Sequence, residues 1–304
     1  MENIIIIGAG PAGISAALYA ARGNMNPLVI NNGIGALKNA EKIENYYGLP
    51  YPVSGEELYQ NGIEQAKKLG VRILDAQVLG LGGFDTFEVK TTEGNFETVS
   101  VILATGSKRK SPEIPGLKAL EGRGVSYCAV CDAFFYRGKT VAVLGNTDFA
   151  LHEAEELRQS ASSVTIFTNG KEPAFSRTPE MDVNTMEIQS IEGDEKVSGI
   201  RVQAEITTQS TDSSEAFYPM DGVFVALGTA GSAEMARQMG AMLTEKGNLQ
   251  VNEKMETTIP GIFAAGDCTG GLLQIAKAVG DGAQAGISAI SYVRRKNREE
   301  AMDS

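Results

Sequence analysis

A chain of 304 residues is long enough for about two domains and a sizeable apolar core, which excludes a small scaffold held together by disulfides. Its 27 Lys and Arg against 38 Asp and Glu leave a formal net charge of −11, so long-range electrostatics oppose nucleic acid and anionic membranes as partners. Three cysteines and a single histidine, His152, exclude within one chain a His pair or a three-His metal centre. No metal site is expected, because too few ligands are present for zinc. The 35 glycines exceed ordinary usage of roughly 7% and point to many turns and to backbone lying against ligands.

The all-isoleucine run at residues 4–7 has no basic flank and is too short for a secretory core or a membrane span; a cytoplasmic location is expected. It leads into Gly8-Ala9-Gly10-Pro11-Ala12-Gly13 and an Ala-rich stretch over residues 14–22. Strand, glycine turn and helix in this order open a doubly wound parallel sheet. The three glycines allow a tight turn, close approach of a pyrophosphate and close helix packing, so a dinucleotide is expected at this helix N-terminus. The acidic residue that would take the ribose after the second strand is missing, since Val29-Ile30 is followed by Asn31-Asn32.

The same grammar returns at residues 141–144, before Gly145-Asn146-Thr147-Asp148-Phe149-Ala150 and an acidic helix at 151–158. Thr147 puts a branched side chain where glycine admits a pyrophosphate. Residues 168–172, Thr-Asn-Gly-Lys-Glu, offer no arginine pair for a 2′-phosphate, so this copy is expected to be structural only. Apolar runs at 101–104, 223–227 and 262–265 end at Thr105-Gly106, Gly228 and Gly266-Asp267 and are expected as further strands. The expected fold is α/β, with two Rossmann-like (doubly wound) nucleotide-binding domains, the second inserted into the first. Residues 1–111 and 245–304 form the discontinuous first domain and 116–241 the second, with hinges near 112–115, which contains Pro112 and Pro115, and 242–250. Residues 207–214 are expected as a polar hairpin tip, and charged residues 294–300 as the end of the last helix.

Cys128-Ala129-Val130-Cys131-Asp132 carries the chemistry. Two thiols at this spacing can close a reversible disulfide, and the following carboxylate can move the proton required as a thiolate leaves. The bland alternatives are two free buried cysteines or a partial metal site. Cys268 is expected to be a packed residue, and His152 a surface one.

Taken jointly, the Gly8 loop, Ile43-Glu44-Asn45-Tyr46, Ala104-Thr105-Gly106, Cys128 to Asp132, and residues 262–267 followed by Gln274-Ile275-Ala276 resemble the low-molecular-weight thioredoxin reductases over essentially the whole chain. The resemblance implies FAD in the first domain. Gly8, Gly10, Pro11, Ala12 and Gly13 would lie on its pyrophosphate, Asn45 near the isoalloxazine, and Asp267 on the ribitol or phosphate. Gln274, Ile275 and Ala276 would cover the flavin, and Ala104, Thr105, Gly106 and Gly266 would complete the set. It also implies that Cys131 takes electrons from the flavin, Cys128 attacks the substrate disulfide and Asp132 is the acid/base. A homodimer whose inserted domain rotates about two hinges is part of the same implication.

The departures point further. The intact glycine motif and Arg-Arg pair that ordinary members use for NADPH are absent, and the flavin-holding Gly-Gly-Gln-Leu is altered to Gly35-Ala36-Leu37. With residues 254–258 and 266–270, the chain resembles most the ferredoxin-dependent and deeply rooted, NADPH-independent branch. Its expected partners are thioredoxin or a thioredoxin-like protein and, as donor, ferredoxin, for which Lys108-Arg109-Lys110 or Arg294, Arg295, Lys296 and Arg298 could provide a basic patch. The competing expectations are an FAD-dependent dithiol oxidase that returns electrons to oxygen, an NADPH thioredoxin reductase with atypical cofactor contacts, and a redox-sensing module without turnover.

Overall fold

The computed structural model describes residues 1–107, 112–203, 215–227 and 231–303, without the side chains of Val130, Glu234 and Asp303. The cluster Lys108-Arg109-Lys110, segment 207–214 and Gly228 lie outside the described residues. In chain order the elements are β1 (Glu2–Ile7), α1 (Pro11–Arg22), β2 (Leu28–Asn31), α2 (Gly55–Lys68), β3 (Arg72–Asp75), β4 (Val78–Gly83), β5 (Phe87–Thr91) and β6 (Gly94–Leu103). There follow β7 (Val125–Ser126), α3 (Ala129–Asp132), β8 (Thr140–Leu144), α4 (Asp148–Arg158), β9 (Ser163–Phe167), β10 (Asp182–Asn184), β11 (Ile188–Glu192), β12 (Gly199–Gln203), β13 (Glu215–Pro219) and β14 (Gly222–Val225). Last come α5 (Ser232–Gln238), β15 (Ile262–Ala264) and α6 (Ile275–Asp303). The chain divides into two compact units, one of Met1–Arg109 with Gly231–Ser304 and one of Lys110–Ala230.

In the first unit β3, β2, β1, β6 and β15 run parallel in that order. Strands buried on both faces read as unbroken apolar runs, and Ile4, Ile5 and Ile6 of β1 with Val101, Ile102 and Leu103 of β6 are fully buried. β6 is long enough to serve two partners on one edge. Its first half pairs antiparallel with β5, and its second half pairs with β15. β4 completes the antiparallel meander. α1 buries Ala12, Ala16, Ala17 and Ala20, a small-residue stripe that lets α6 approach closely. Gly282 and Gly286 of α6 are the counterpart, because a Cβ there would run into the backbone of Ala12 and Ala16. α2 is capped by Ser54, whose Oγ accepts from the Glu57 N–H at 3.1 Å, with Glu56 and Glu57 in its first turn and Lys67 and Lys68 in its last, each sign where the helix dipole favours it.

The sequence placed the second hinge at 242–250, whereas here those residues are bonded within the first unit. Leu249 N–H donates to Cys268 O at 2.9 Å, Met242 N–H to Thr258 Oγ1 at 2.9 Å, and Leu243 bridges Leu249. The chain re-enters this unit at Gly231, and α5 belongs to it through Ser232, which bonds Thr105.

The second unit repeats the plan. β10, β9, β8, β14 and β7 form a parallel sheet, and β11, β12 and β13 a separate antiparallel one. Its core includes Leu117, Val125, Ala142, Leu144, Phe167, Ile200, Val202 and Val223. Pro115 and Gly116 pack on β11, where Ile191 N–H donates to Pro115 O at 2.9 Å. Among the described residues no helix is long and apolar enough to cross a membrane.

Candidate active site

β1, β6 and β15 are neighbours, so the segments that follow them meet at one edge of the sheet, outside the carboxyl ends of the strands where α/β folds bind ligands. Gly8 turns the chain out of β1 with φ of +110°, donating its N–H to Ile30 O at 2.9 Å; a Cβ would overlap Ala104 O. Gly13 lies against Gly8 O, so the fold itself requires both glycines. Gly10 is different. A Cβ on it would meet nothing within 4 Å, so nothing in the chain requires glycine there, and the open space is what a ligand's close approach needs. The α1 N-terminus beside it has Pro11 at its start, no side-chain cap and no acid in its first turn, leaving its N–H groups for an anion. These features fit a dinucleotide pyrophosphate.

Thr105, after β6, pairs its Oγ1 with Ser232 Oγ at 2.7 Å and accepts from Ser232 N–H at 3.0 Å; Gly106 follows with φ of +80°. Gly266, after β15, has φ of +83° and donates its N–H to Asp281 at 3.1 Å. Lys277 Nζ ties down the same turn, 2.6 Å from Asp281 and bonded to Gly266 O, Thr269 Oγ1 and Gly270 O. Sequence reasoning missed this clamp, although a Lys and an Asp four apart on a helix signal an ion pair. Burial pushes the Asp267 carboxyl up, helped by Asp281 and opposed by Lys277. Asn45 and Gln274, 229 residues apart, are brought together, Nδ2 donating to Oε1 at 3.2 Å. Ile275 and Ala276 open α6 directly after Gln274. At the end of β2, Asn31 donates to Asp75 of β3 at 2.6 Å and accepts from Tyr59 OH at 2.9 Å. A carboxylate therefore stands at this edge after all, on the neighbouring strand.

The corresponding turn of the second unit is covered by its own chain. Asn146 Nδ2 donates to Glu172 O at 3.0 Å, Ala174 N–H donates to Asn146 O at 2.7 Å, Ala174 bridges Thr147, and Ser176 N–H donates to Asp148 Oδ1 at 2.7 Å. Segment 172–176 thus lies along the turn, and the Asp148 carboxylate, tied to Ser176, puts a negative charge in the first turn of α4 where a phosphate would otherwise bind. Gly145 is needed for packing alone, since a Cβ would overlap Ala226 O.

Cys128 and Cys131 of this unit form a disulfide. Cys128 caps α3, its Sγ accepting the Cys131 N–H at 3.1 Å. Asp132 Oδ2 accepts from Ser126 Oγ at 2.6 Å, and Ser126 Oγ in turn accepts from Cys128 N–H at 3.2 Å, so acid and disulfide share one holder. Cys128 is 2% exposed while Cys131 is exposed. Next along the chain, Phe134 and Phe135 are 72% and 66% exposed, an apolar pair that composition could not mark as surface. Ala129 N–H donates to Glu153 Oε2 of α4 at 2.7 Å. His152, expected on the surface, is half-buried, its Nε2 3.9 Å from Glu156. Cys268 is buried, its Sγ near the carbonyls of Leu103 and Ala265, and burial pushes its thiol up to about 11. Among the described residues no group of three His, Cys, Asp or Glu side chains could hold a metal.

Two nucleotide-type units, one of them carrying a Cys-x-x-Cys disulfide, define a disulfide oxidoreductase of the dinucleotide-fold class. Residues 2–282 match the family described as pyridine nucleotide-disulphide oxidoreductase. The thioredoxin reductase of Bacillus subtilis is 35% identical over 96% of this chain and 94% of its own, and that of Aquifex aeolicus 37% over 87% and 84%. Among solved structures, the atypical thioredoxin reductase TRi from Desulfovibrio vulgaris Hildenborough superposes with a TM-score of 0.88 at 39% identity, covering 97% of this chain and 99% of that one. A ferredoxin-flavin thioredoxin reductase from Clostridium acetobutylicum gives 0.71 at 33%, covering 96% and 98%. The chain belongs to the pyridine nucleotide-disulphide oxidoreductases and, among them, to the thioredoxin reductases.

Proposed function

We propose that this chain is an FAD-dependent reductase of thioredoxin or a thioredoxin-like protein that takes its electrons from reduced ferredoxin rather than NADPH. The observation that carries the choice of donor is the covered turn of the second unit, with Thr147 where a nicotinamide nucleotide would need glycine and the Asp148 carboxylate where its phosphates would need an uncharged helix end. The likeness to the Clostridium protein, whose donor is in its name, points the same way.

Gly8, Gly10, Pro11, Ala12 and Gly13 would hold the pyrophosphate at the α1 N-terminus. Ala104, Thr105, Gly106, Gly266 and Asp267 would line the adjoining strand ends, with Asn45, Gln274, Ile275 and Ala276 beside them. When bound, a flavin supplies the capacity to accept electrons singly and release them in pairs, as a one-electron iron–sulfur donor requires.

The chain's own thiols do the exchange. Reduction by two electrons and two protons opens the Cys128–Cys131 bond. The Cys128 thiolate, favoured by the N–H that its sulfur accepts, attacks the substrate disulfide and releases one substrate thiolate, which is protonated. Cys131 then loses its proton, attacks Cys128 Sγ and releases the second substrate thiol. Asp132, held by Ser126, takes and returns these protons. In the closed pair Cys128 is the buried residue and Cys131 the exposed one, so attack by Cys128 follows opening of the bond. Exposed Phe134 and Phe135 offer an apolar footing for the protein substrate beside the disulfide. We place the protein in the cytoplasm as a homodimer.

The test is anaerobic. Flavin absorbance near 450 nm, an approximate band for such cofactors, should bleach with reduced ferredoxin and recover with oxidised thioredoxin, and should not respond to NADPH or NADH. Bleaching by NADPH would overturn the donor. Rapid reoxidation by air, with peroxide formed in step with dithiol loss, would indicate the oxidase instead. Cys131→Ser should trap a mixed disulfide with thioredoxin through Cys128.

A further inference from the structure

Among the described residues one buried side-chain polar atom has no hydrogen-bond partner, Oε1 of Glu153. Glu153 is 2% exposed, and a buried carboxyl costs free energy unless something uses it. It stands on the apolar face of α4, one turn from Phe149 and one from Leu157, both also buried. Its other oxygen accepts the N–H of Ala129, the residue between Cys128 and Val130. Glu153 is thus packed, half satisfied, against the segment where a bond breaks and charge appears.

We propose that Glu153 is a positioning residue of the Cys128–Cys131 couple, holding the backbone between the cysteines through Oε2 and taking up a proton on the unpartnered Oε1 when the disulfide opens. The inference rests on the Cys128–Cys131 pair being the working disulfide. With glutathione as reductant the step balances: above about pH 7 the protein disulfide with Glu153 as carboxylate and two glutathione thiols give one glutathione disulfide and the opened pair with Cys128 as thiolate, Cys131 as thiol and Glu153 as carboxylic acid. The S–S bond is exchanged, two electrons move to the protein, and the proton that the Cys128 thiol would otherwise release to solvent ends on Glu153. The physical cause is mutual repulsion: a buried carboxylate and a thiolate on adjacent packed segments cannot both keep their charge at low dielectric.

The surroundings leave few competitors. β8 and β9, which pack against α4, carry no charged residue; α3 carries only Asp132 beside the cysteines; on α4 itself His152 and Glu156 are the nearest. Burial raises the Glu153 carboxyl to about 7, Glu156 adding to the rise and the Ala129 N–H opposing it.

The full, flavin-loaded chain is equilibrated anaerobically with reduced and oxidised glutathione from pH 5.5 to 8.5, and the Cys128 and Cys131 thiols are counted by alkylation and mass. In the parent the opened pair should retain about one proton more than two thiols alone, so the reduction constant should stay nearly flat with pH where Cys128 would otherwise ionise and raise it. Glu153→Gln keeps an acceptor for Ala129 and should let the constant rise with pH, shifting it at pH 8 toward the opened pair by about three- to tenfold. Glu153→Asp, still ionisable, should restore the flat profile. No extra proton in the parent, or an unchanged pH profile in Glu153→Gln, would overturn the role of Glu153. Failure of the pair to exchange with glutathione at all would instead overturn the disulfide reading on which it rests.

Discussion

Gly10 and Gly13 are one residue type kept for two physical reasons. A methyl group at 13 runs into Gly8 O, while at 10 it points into open space. Gly13→Ala should therefore cost about 1–3 kcal/mol of stability through overpacking, measured by denaturant unfolding. Gly10→Val should leave the flavin-free form within about 0.5 kcal/mol of its parent yet purify without flavin absorbance. Glu153 adds a pH dependence with a definite sign. Its folded value of about 7 lies above the ordinary 4.5, so between these limits the folded state holds the proton more tightly than the unfolded one. Stability of the oxidised chain should fall as pH rises from about 4.5 to 7, by an amount of order 3 kcal/mol, and then level off. Glu153→Gln should flatten that slope in urea unfolding series. Cys268, buried and pushed up to about 11, should resist iodoacetamide in the folded reduced protein while the exposed Cys131 reacts. Equal labelling of Cys131 and Cys268 would contradict this difference in burial.

At the scale of elements, the contact of α1 with α6 is set by missing side chains. Gly282→Ala should destabilise strongly, because its methyl meets the backbone of Ala12 and backbone cannot rotate away. Gly280→Ala, with nothing within 4 Å, should stabilise by up to about 1 kcal/mol through helix propensity; thermal melts rank the pair. The covered turn predicts that Thr147→Gly alone leaves the protein unresponsive to NADPH in fluorescence titration, since segment 172–176 and Asp148 still occupy the place. How far this was legible in the sequence follows from the kind of contact involved. Strands β1, β6, β8 and β15 were readable as apolar runs ending in glycine, and the Gly8 loop and the cysteine pair as local spacings. The cover over Gly145 was not, because Glu172, Ala174 and Ser176 reach it through backbone groups that carry no side-chain signature. Glu153 did leave a trace, a charged residue at four-residue spacing between Phe149 and Leu157, which reads as an exposed position until its burial is seen. The bonding of 242–250 was not legible either: its glycine and polar residues read as a hinge, and the backbone bonds of Met242 to Thr258 and of Leu249 to Cys268 leave no side-chain pattern.

For the whole molecule, on the proposed function, the charge of −11 sets how an acidic donor would have to approach. Among the described residues the end of α6 gathers Arg294, Arg295 and Arg298, all exposed, with Lys296 paired to Asp85 at 3.3 Å. Arg294 reaches Gly23 O and Arg295 lies over Tyr292, so the guanidinium groups are held in place. If this patch steers ferredoxin, donor-linked turnover should fall as salt rises, the reverse of what net repulsion alone would give. Arg294→Glu with Arg295→Glu and Arg298→Glu should invert that salt dependence, as read by stopped-flow flavin bleaching. The covered turn has one more consequence, for what the protein can sense. Anything that binds only the folded state stabilises it in proportion to its abundance, but segment 172–176 is tethered to the helix end it covers and is always present. On the proposed function the heat resistance of this unit, and the rate at which it passes electrons on, are set at synthesis and stay deaf to the nicotinamide balance of the cell, so that disulfide reduction can continue through a shortage that would stall a nucleotide-fed reductase.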